Sequence, residues 1–226
     1  LDFADLIQKI DSIEELPRIR YMTSHPRDFS DKLIKTIKNC DSVCEHFHLP
    51  VQSGSTRILK NMNRGYTRKE YIELVKTIKD KIPQASITTD IIVGFPGETA
   101  TDFQQTLSLV KQLNFDMAFT FSYSPREGTP AAKMDSQLSD ETKNDRLHQL
   151  MEIQNKISME QNQKLKDTVV RVLVEGESKN NPETFAGRTR TNKLVIIPRD
   201  DNLQGKIVKV KINEVRSWTL YGQVIS

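Results

Sequence analysis

The chain is poor in cysteine. Its 226 residues hold only Cys40 and Cys44, too few for a disulfide framework, so a reduced, intracellular setting is expected. Long apolar runs are missing as well. None approaches the roughly 20 residues a bilayer-spanning helix needs, and mean hydropathy is −0.54, so no membrane partner is expected. The opening stretch Leu1-Asp2-Phe3-Ala4-Asp5 has no basic segment and no signal-like apolar core. Nothing there points to export, and the expected location is cytoplasmic. It also lacks an initiator methionine, which suggests a piece of a longer chain. A nucleophile elbow is absent: Ser53-Gly54-Ser55 has the wrong pattern and no nucleophile–base pair is visible, so hydrolysis is excluded. Excess charge of one sign is scarce, at +3 overall. Its distribution is uneven. Residues 168–226 hold ten Lys and Arg against six Asp and Glu, whereas the 167 before them hold 23 against 24. A basic C-terminal module suits either an anionic partner or ordinary surface charge.

What is present is a repeated strand–loop–helix pattern. Residues 3–10 read as a short helix. Residues 18–24 alternate and read as a strand closed by His25-Pro26. Ser30 caps a helix with Leu33, Ile34 and Ile37 as its stripe. His46-Phe47-His48-Leu49 is a second strand, stopped by Pro50 and followed by a polar loop, Gln52 to Ser55. Ile58, Leu59 and Met62 then recur at helical spacing. Thr67 and Glu70 make a capping box for the next helix, which carries Tyr71, Leu74, Val75, Ile78 and Ile82. Residues 86–95 are the strongest strand, apolar enough in their second half to be covered on both faces. Thr99 and Asp102 cap a helix with Phe103, Leu107, Val110 and Leu113 inward. Residues 117–123 form a fourth strand. Four such units predict a parallel sheet or partial barrel, hence an α/β fold. Ser139 caps a long polar helix to about Lys166. After residue 167 the texture changes to short β-rich runs, as in a small all-β, OB-like barrel. The expected domains are 1–167 and 168–226.

Ligands of such sheets sit at the carboxyl ends of the strands. Those rims offer Thr23, Ser24 and His25, then Gln52 and Ser53, then Thr89, Asp90 and Gly94, and finally Ser122 to Arg126. Neutral hydrogen-bonding groups, one carboxylate and a guanidinium suit a nucleoside with an amino-acid tail, with Asp90 or Gln52 on a ribose and Arg126 on a carboxylate. Ser53 and Ser55, taken singly, are better read as a loop residue and a helix cap. Cys40, Cys44, His46 and His48 have the spacing C-x3-C-x-H-x-H, which invites a metal. On a strand the last three share a face about 7 Å apart, and a straight strand does not converge them to the roughly 2 Å of a zinc shell. Phe47 stands where a C-x3-C-x2-C cluster motif would need cysteine. In the tail, Gly187-Arg188-Thr189-Arg190-Thr191-Asn192-Lys193 alternates cations with small polar residues in an expected hairpin, and Trp218 and Tyr221 follow. Cations beside aromatic platforms favour RNA.

These residues carry a family resemblance. His48-Leu-Pro-Val-Gln-Ser-Gly-Ser55, Met62-Asn-Arg-Gly-Tyr-Thr67, Thr89-Asp-Ile-Ile-Val-Gly-Phe-Pro-Gly-Glu-Thr99 and Tyr123-Ser-Pro-Arg-Glu-Gly-Thr-Pro-Ala131 resemble the radical S-adenosylmethionine methylthiotransferases. Thr23-Ser-His-Pro-Arg27 leans toward the branch acting on tRNA. Val174-Glu-Gly176, Gly187-Arg-Thr-Arg-Thr-Asn192 and Gly205-Lys206 resemble the TRAM domain that closes those proteins. The resemblance implies a partial radical-SAM (β/α) barrel followed by a TRAM barrel. It implies methylthiolation of N6-isopentenyladenosine beside the tRNA anticodon, with S-adenosylmethionine and two 4Fe–4S clusters as cofactors. Gln52, Ser53, Thr89, Asp90, Gly94 and Arg126 are then the expected S-adenosylmethionine residues. Arg188, Arg190, Asn192, Lys193 and Trp218 are expected to meet the tRNA anticodon arm.

The family's cluster cysteines have no counterpart here, and four strand–helix units stand where six are implied. The chain therefore reads as the C-terminal portion of such an enzyme, inactive alone and without clusters. Cys40 and Cys44 are not expected as ligands, and His46 and His48 are left without a role. An unpaired strand edge near Ile19 to Ser24 invites dimerisation. Two alternatives stay open: a non-catalytic RNA-binding module, and a relative that thiolates a threonylcarbamoyl-modified adenosine or a ribosomal protein. An upstream C-x3-C-x2-C segment separates enzyme from binder.

Overall fold

The computed structural model describes residues 1–22 and 25–225. Thr23 and Ser24, assigned to a rim from sequence, lie outside the described residues. The first half is built of α1 (Phe3–Asp11), α2 (Asp31–Asn39), β1 (His46–His48), α3 (Thr56–Asn61), α4 (Arg68–Lys81), β2 (Ser86–Val93), α5 (Ala100–Leu113) and β3 (Met117–Ser122). β1, β2 and β3 form a parallel sheet in that order. The helices start where their side chains cap them. Thr67 with Glu70 and Thr99 with Asp102 make reciprocal capping boxes, and Ser30 and Ser55 accept from Leu33 and Ile58. Asn114 ends α5 in the left-handed region, φ 49°, where its short polar side chain is tolerated.

Alternation fixes the two faces of the sheet. Phe47, Leu49, Val51, Ile87, Ile91, Val93 and Ala118 turn toward the helices and join one core with Tyr71, Val75, Phe103 and Val110. His46, His48, Thr88, Asp90, Phe119 and Phe121 belong to the opposite, open face. Asp90 lies opposite Phe119 and Ile92 opposite Phe121 in register, and the two phenylalanines are 45% and 51% exposed.

The strand expected over residues 18–24 is narrower than its alternation suggests. Among the described residues it makes one parallel bridge, Ile19 to Val43. Pro17 precedes it, and Arg18 and Arg20 turn their side chains to the second half of the chain, hydrogen-bonding Arg188, Thr189 and Asn192. That half follows α6 (Asp140–Gln163), which packs on β3 and hydrogen-bonds the Phe115 and Asp116 carbonyls through Gln154 and Ser158. β4 (Val169–Ser178), β5 (Asn181–Thr189), β6 (Leu194–Pro198), β7 (Ile207–Val215) and β8 (Thr219–Ile225) then close a barrel in the order β4-β5-β6-β8-β7. Its core, around Val172, Val174, Phe185, Val195, Val210 and Leu220, is separate from the first. No helix among the described residues is long and apolar enough to cross a membrane.

Candidate cofactor rim and interdomain joint

Along the open face, from the amino end of β1 to the middle of β2, the sheet presents a line of polar contacts. His46 Nε2 and His48 Nδ1 both meet Thr88 Oγ1, at 2.9 and 3.0 Å. His48 Nε2 lies 3.5 Å from Asp90 Oδ1, and the His48 ring meets Phe119 edge-on at 6.1 Å. Burial, with the neighbouring His48 second, holds the His46 pKa down to about 4, so this ring is neutral at physiological pH. The contacts thus run His46–Thr88–His48–Asp90 and end on a carboxylate that is 28% exposed. Sequence reasoning left the two histidines without a role. The signal was their period-two spacing, but their partner Thr88 is 40 residues or more away.

Gln52 completes the rim. Its backbone bridges β2, donating to the Asp90 carbonyl at 2.8 Å and accepting from Ile92 N–H at 2.9 Å. To do so it takes φ 68°, in the left-handed region, which a non-glycine residue adopts at some cost. Its Oε1 is buried without a partner among the described residues, as are Tyr123 Oη and Glu98 Oε1. Buried acceptors left open at strand ends are what a ligand bearing hydroxyl or ammonium donors would complete.

The other predicted cofactor residues are placed differently. Thr89 sits one residue from Asp90 and so faces the helices. Its hydroxyl donates to the Leu49 carbonyl at 2.8 Å and accepts from Val51 N–H at 2.9 Å, which corrects its assignment to the open rim. Ser53 is fully buried against α5, accepting from Ser55 N–H at 3.2 Å and meeting Thr106 Oγ1 at 3.5 Å. It too serves the loop, whose next residue, Gly54, packs so closely that a Cβ would lie 2.4 Å from Thr106 Cα. Gly94 ends β2 at φ +73° under Lys143, and its N–H donates to Glu98 Oε2 at 2.7 Å. That carboxylate is buried and paired with Arg146 at 2.6 Å, and burial pushes its pKa up. Arg126 lies on an exposed turn after β3.

The opposite, amino end of the sheet receives the β5–β6 hairpin, whose residues, expected to meet RNA, make contacts within the chain. Arg190 forms an ion pair with Glu45 at 2.6 Å and donates to the Asp41 and Val43 carbonyls at 2.8 and 2.6 Å. Its pKa is raised chiefly by the hydrogen bond to Glu45. Lys193 donates to Asp116 and Asn162 at 2.8 and 2.9 Å. Asn192 accepts from Arg20 at 2.8 Å. Arg188 donates to the Asn192 carbonyl at 3.1 Å and lies 3.6 Å from Glu175. Trp218 Nε1 donates to Asn155 Oδ1 of α6 at 2.9 Å, with the ring 44% exposed. The cations read as an RNA surface are held in the joint because Glu45 and Asp116, just ahead of β1 and β3, supply the opposite charges.

Among the described residues no three His, Cys, Asp or Glu converge as a metal site would require. Cys40 and Cys44 are both buried. Burial pushes the Cys40 thiol up to about 11 and raises Cys44 as well, whereas cluster ligation needs thiolates. These two donors do not fit an iron–sulfur cluster.

Comparison with known proteins agrees with this architecture. Residues 1–110 match the Radical SAM superfamily and residues 163–225 match the TRAM domain. The fold resembles the radical SAM enzyme coproporphyrinogen III oxidase (HemN) from Escherichia coli, with TM-score 0.58 at 14% identity, over 84% of this chain and 52% of that one. Fold and matches together define a radical-SAM sheet joined to a TRAM barrel. The tRNA-2-methylthio-N(6)-dimethylallyladenosine synthase of Desulforamulus reducens is 55% identical over 99% of this chain and 49% of its own length. The synthase of Moorella thermoacetica is 53% identical over 100% of this chain and 51% of its own. The chain thus carries Radical SAM and TRAM matches, is similar over nearly its whole length to these synthases, and spans about half the length of the curated relatives it matches.

Proposed function

We propose that this chain is part of an enzyme that adds a methylthio group to N6-dimethylallyladenosine in tRNA by radical S-adenosylmethionine chemistry. The observation that carries this reading is identity of 53–55% to synthases of that name across nearly the whole chain. S-adenosylmethionine, bound with two 4Fe–4S clusters, would supply the radical and the sulfur chemistry. The rim fits the first of these: Gln52 Oε1 is an open buried acceptor and Asp90 is held by His48, which suits ribose hydroxyls or the amino group of the methionine tail. Gly94 shapes the same end of β2, and Arg126 is available to the tail's carboxylate. Thr89 and Ser53 act from behind, by fixing the loop that carries Gln52. The clusters do not fit Cys40 and Cys44, so residues outside these 226 would hold them, and the chain alone would not turn over.

The partner is the tRNA anticodon arm and the location cytoplasmic. The division into 1–167 and 168–226 is supported by the two separate cores. Dimerisation would use the strand edge beyond Ile19, and a monomer in light scattering counts against it. The cited synthases all carry the dimethylallyladenosine name, and no observation favours a threonylcarbamoyl or ribosomal-protein target, or a purely RNA-binding role. The test is nucleoside analysis of tRNA after deletion of the full-length gene. The 2-methylthio derivative should vanish while N6-dimethylallyladenosine remains, and the gene should restore it. Unchanged methylthiolation overturns the reading. A full-length Gln52→Ala, Asp90→Asn variant should fail to restore it and should bind S-adenosylmethionine more weakly in equilibrium dialysis.

A further inference from the structure

With the hairpin cations paired, the uncompensated positive charge lies elsewhere. Arg18 and Arg20 flank Ile19, whose backbone bridges to Val43, so by alternation both leave the core side of the sheet. Arg18 donates to the Arg188 carbonyl at 2.7 Å, and its Nε is buried without an acceptor. Arg20, exposed, donates to the Thr189 carbonyl and Asn192 Oδ1. Burial lowers the pKa of both; Arg20 and Arg190 lower that of Arg18 further, and Arg188 and Arg190 that of Arg20, partly offset by Glu175 nearby. Arg171 of β4 is close enough to Arg18 to repel it as well. Arg171 lies directly opposite Lys209 of β7, and Lys211 is two residues along on the same outer face, opposite Val169. Arg171, Lys209 and Lys211 are exposed. Like charges set directly across a strand pair are destabilising. Among the described residues no carboxylate makes an ion pair with any of these five cations.

A row of cations set against one another, with no carboxylate in ion-pair contact, offers its donors to acceptors from outside. We propose that Arg20, Arg18, Arg171, Lys209 and Lys211 form one phosphate track, on which an RNA backbone crosses the joint between the parallel sheet and the TRAM barrel. A backbone suits the row better than a free phosphate, because the cations extend over two strands of the barrel and the adjoining edge of the sheet. The inference rests on the tRNA reading above and deepens it. It assigns the contact to the outer face of β4 and β7 together with two arginines of the radical-SAM segment, and not to the β5–β6 hairpin tip.

The test is binding of a labelled anticodon stem–loop RNA to the 226-residue chain over a salt series. Arg171→Glu with Lys209→Glu should weaken binding about tenfold or more and flatten the slope of log K against log salt by about two. Lys69→Glu with Lys76→Glu, the same charge change on exposed positions of α4, should bind like the parent. Thermal melting checks that each variant is folded, and Arg20→Gln, at an exposed position, repeats the test with a smaller change. If the parent binds and the Arg171/Lys209 and Arg20 variants bind equally well, the track is overturned while the tRNA reading stands. If the parent binds phosphatidylserine vesicles and not RNA, the track falls, and the tRNA reading is decided separately by the nucleoside analysis.

Discussion

The two ends of the parallel sheet are built for opposite kinds of partner. At the carboxyl end the open groups are acceptors: Gln52 Oε1, Glu98 Oε1 and the Asp90 carboxylate. At the amino end the open groups include a cationic donor, Arg18 Nε, beside Gln154 Oε1 and Ser86 Oγ, and the Arg20 guanidinium is exposed. On the proposals above, one end would take hydroxyls and ammonium groups and the other phosphates. Between them the same sheet is fully packed, with Phe47, Ile87 and Ile91 at 0% exposure. What distinguishes the ends is which sign of charge the sequence leaves uncancelled. At the carboxyl end Arg146 is the main cation and is committed to Glu98. At the amino end Glu45 and Asp116 are committed to Arg190 and Lys193.

The largest way to break this contrast is at Glu98. Its carboxylate is 0% exposed and pairs with an Arg146 side chain that is 12% exposed. Glu98→Ala leaves a buried cation and an unmet Gly94 N–H. It should cost about 3–5 kcal/mol in urea unfolding, and Arg146→Met together with Glu98→Leu should recover most of that. Next is the amino-end pair. Arg190→Ala should cost about 2 kcal/mol, because Glu45 is then left partly buried at 16% exposure without its partner. A double-mutant cycle with Glu45→Ala should show the two positions to be coupled, and RNA affinity should change far less than in the Arg171 and Lys209 variant.

Acid sharpens the same contrast through His46. Its native pKa, about 4, lies below the ordinary 6.5, so unfolded chains take up a proton first. Stability is therefore full above pH 6.5 and falls as pH drops from 6.5 toward 4, by about 3 kcal/mol from this group. His46→Asn, which keeps a hydrogen bond to Thr88 within reach, should flatten the pH dependence of the urea midpoint over that window. An unchanged slope would mean that His46 is not the group that titrates.

The helices were legible because their signals are local. The capping boxes at Thr67 and Thr99 and the apolar stripes behind them lie within one or two turns. The barrel tail was legible for the same reason, from short β-rich runs broken by turn residues. The internal partners of the hairpin cations were not legible because they are remote: Glu45 is 145 residues from Arg190, and Asp116 is 77 from Lys193. A cation's role depends on whether a carboxylate reaches it, and local pattern does not carry that. Thr89 and Asp90 illustrate parity. They are adjacent in a motif, but alternation sends one into the core side and the other to the open face. His48 gained a role only when β2 brought Thr88 and Asp90 beside it.

The smallest expected effect separates stability from binding at a single residue. Gln52 holds φ 68° while its Oε1 stays buried and unmet, two costs that packing alone does not require. Glycine adopts that backbone freely. Gln52→Gly should therefore keep the bridge to Ile91 and leave stability unchanged or raised by up to about 1 kcal/mol, since relief of φ strain outweighs the lost side-chain contacts. In the full-length enzyme the same change should weaken S-adenosylmethionine binding about tenfold, the loss of one hydrogen bond to a charged or strongly polar group. A variant that is more stable and binds less marks Gln52 as strained for its ligand. If the glycine variant is less stable and binds normally, the side chain is structural, and the acceptor end of the sheet rests on Asp90 and Glu98.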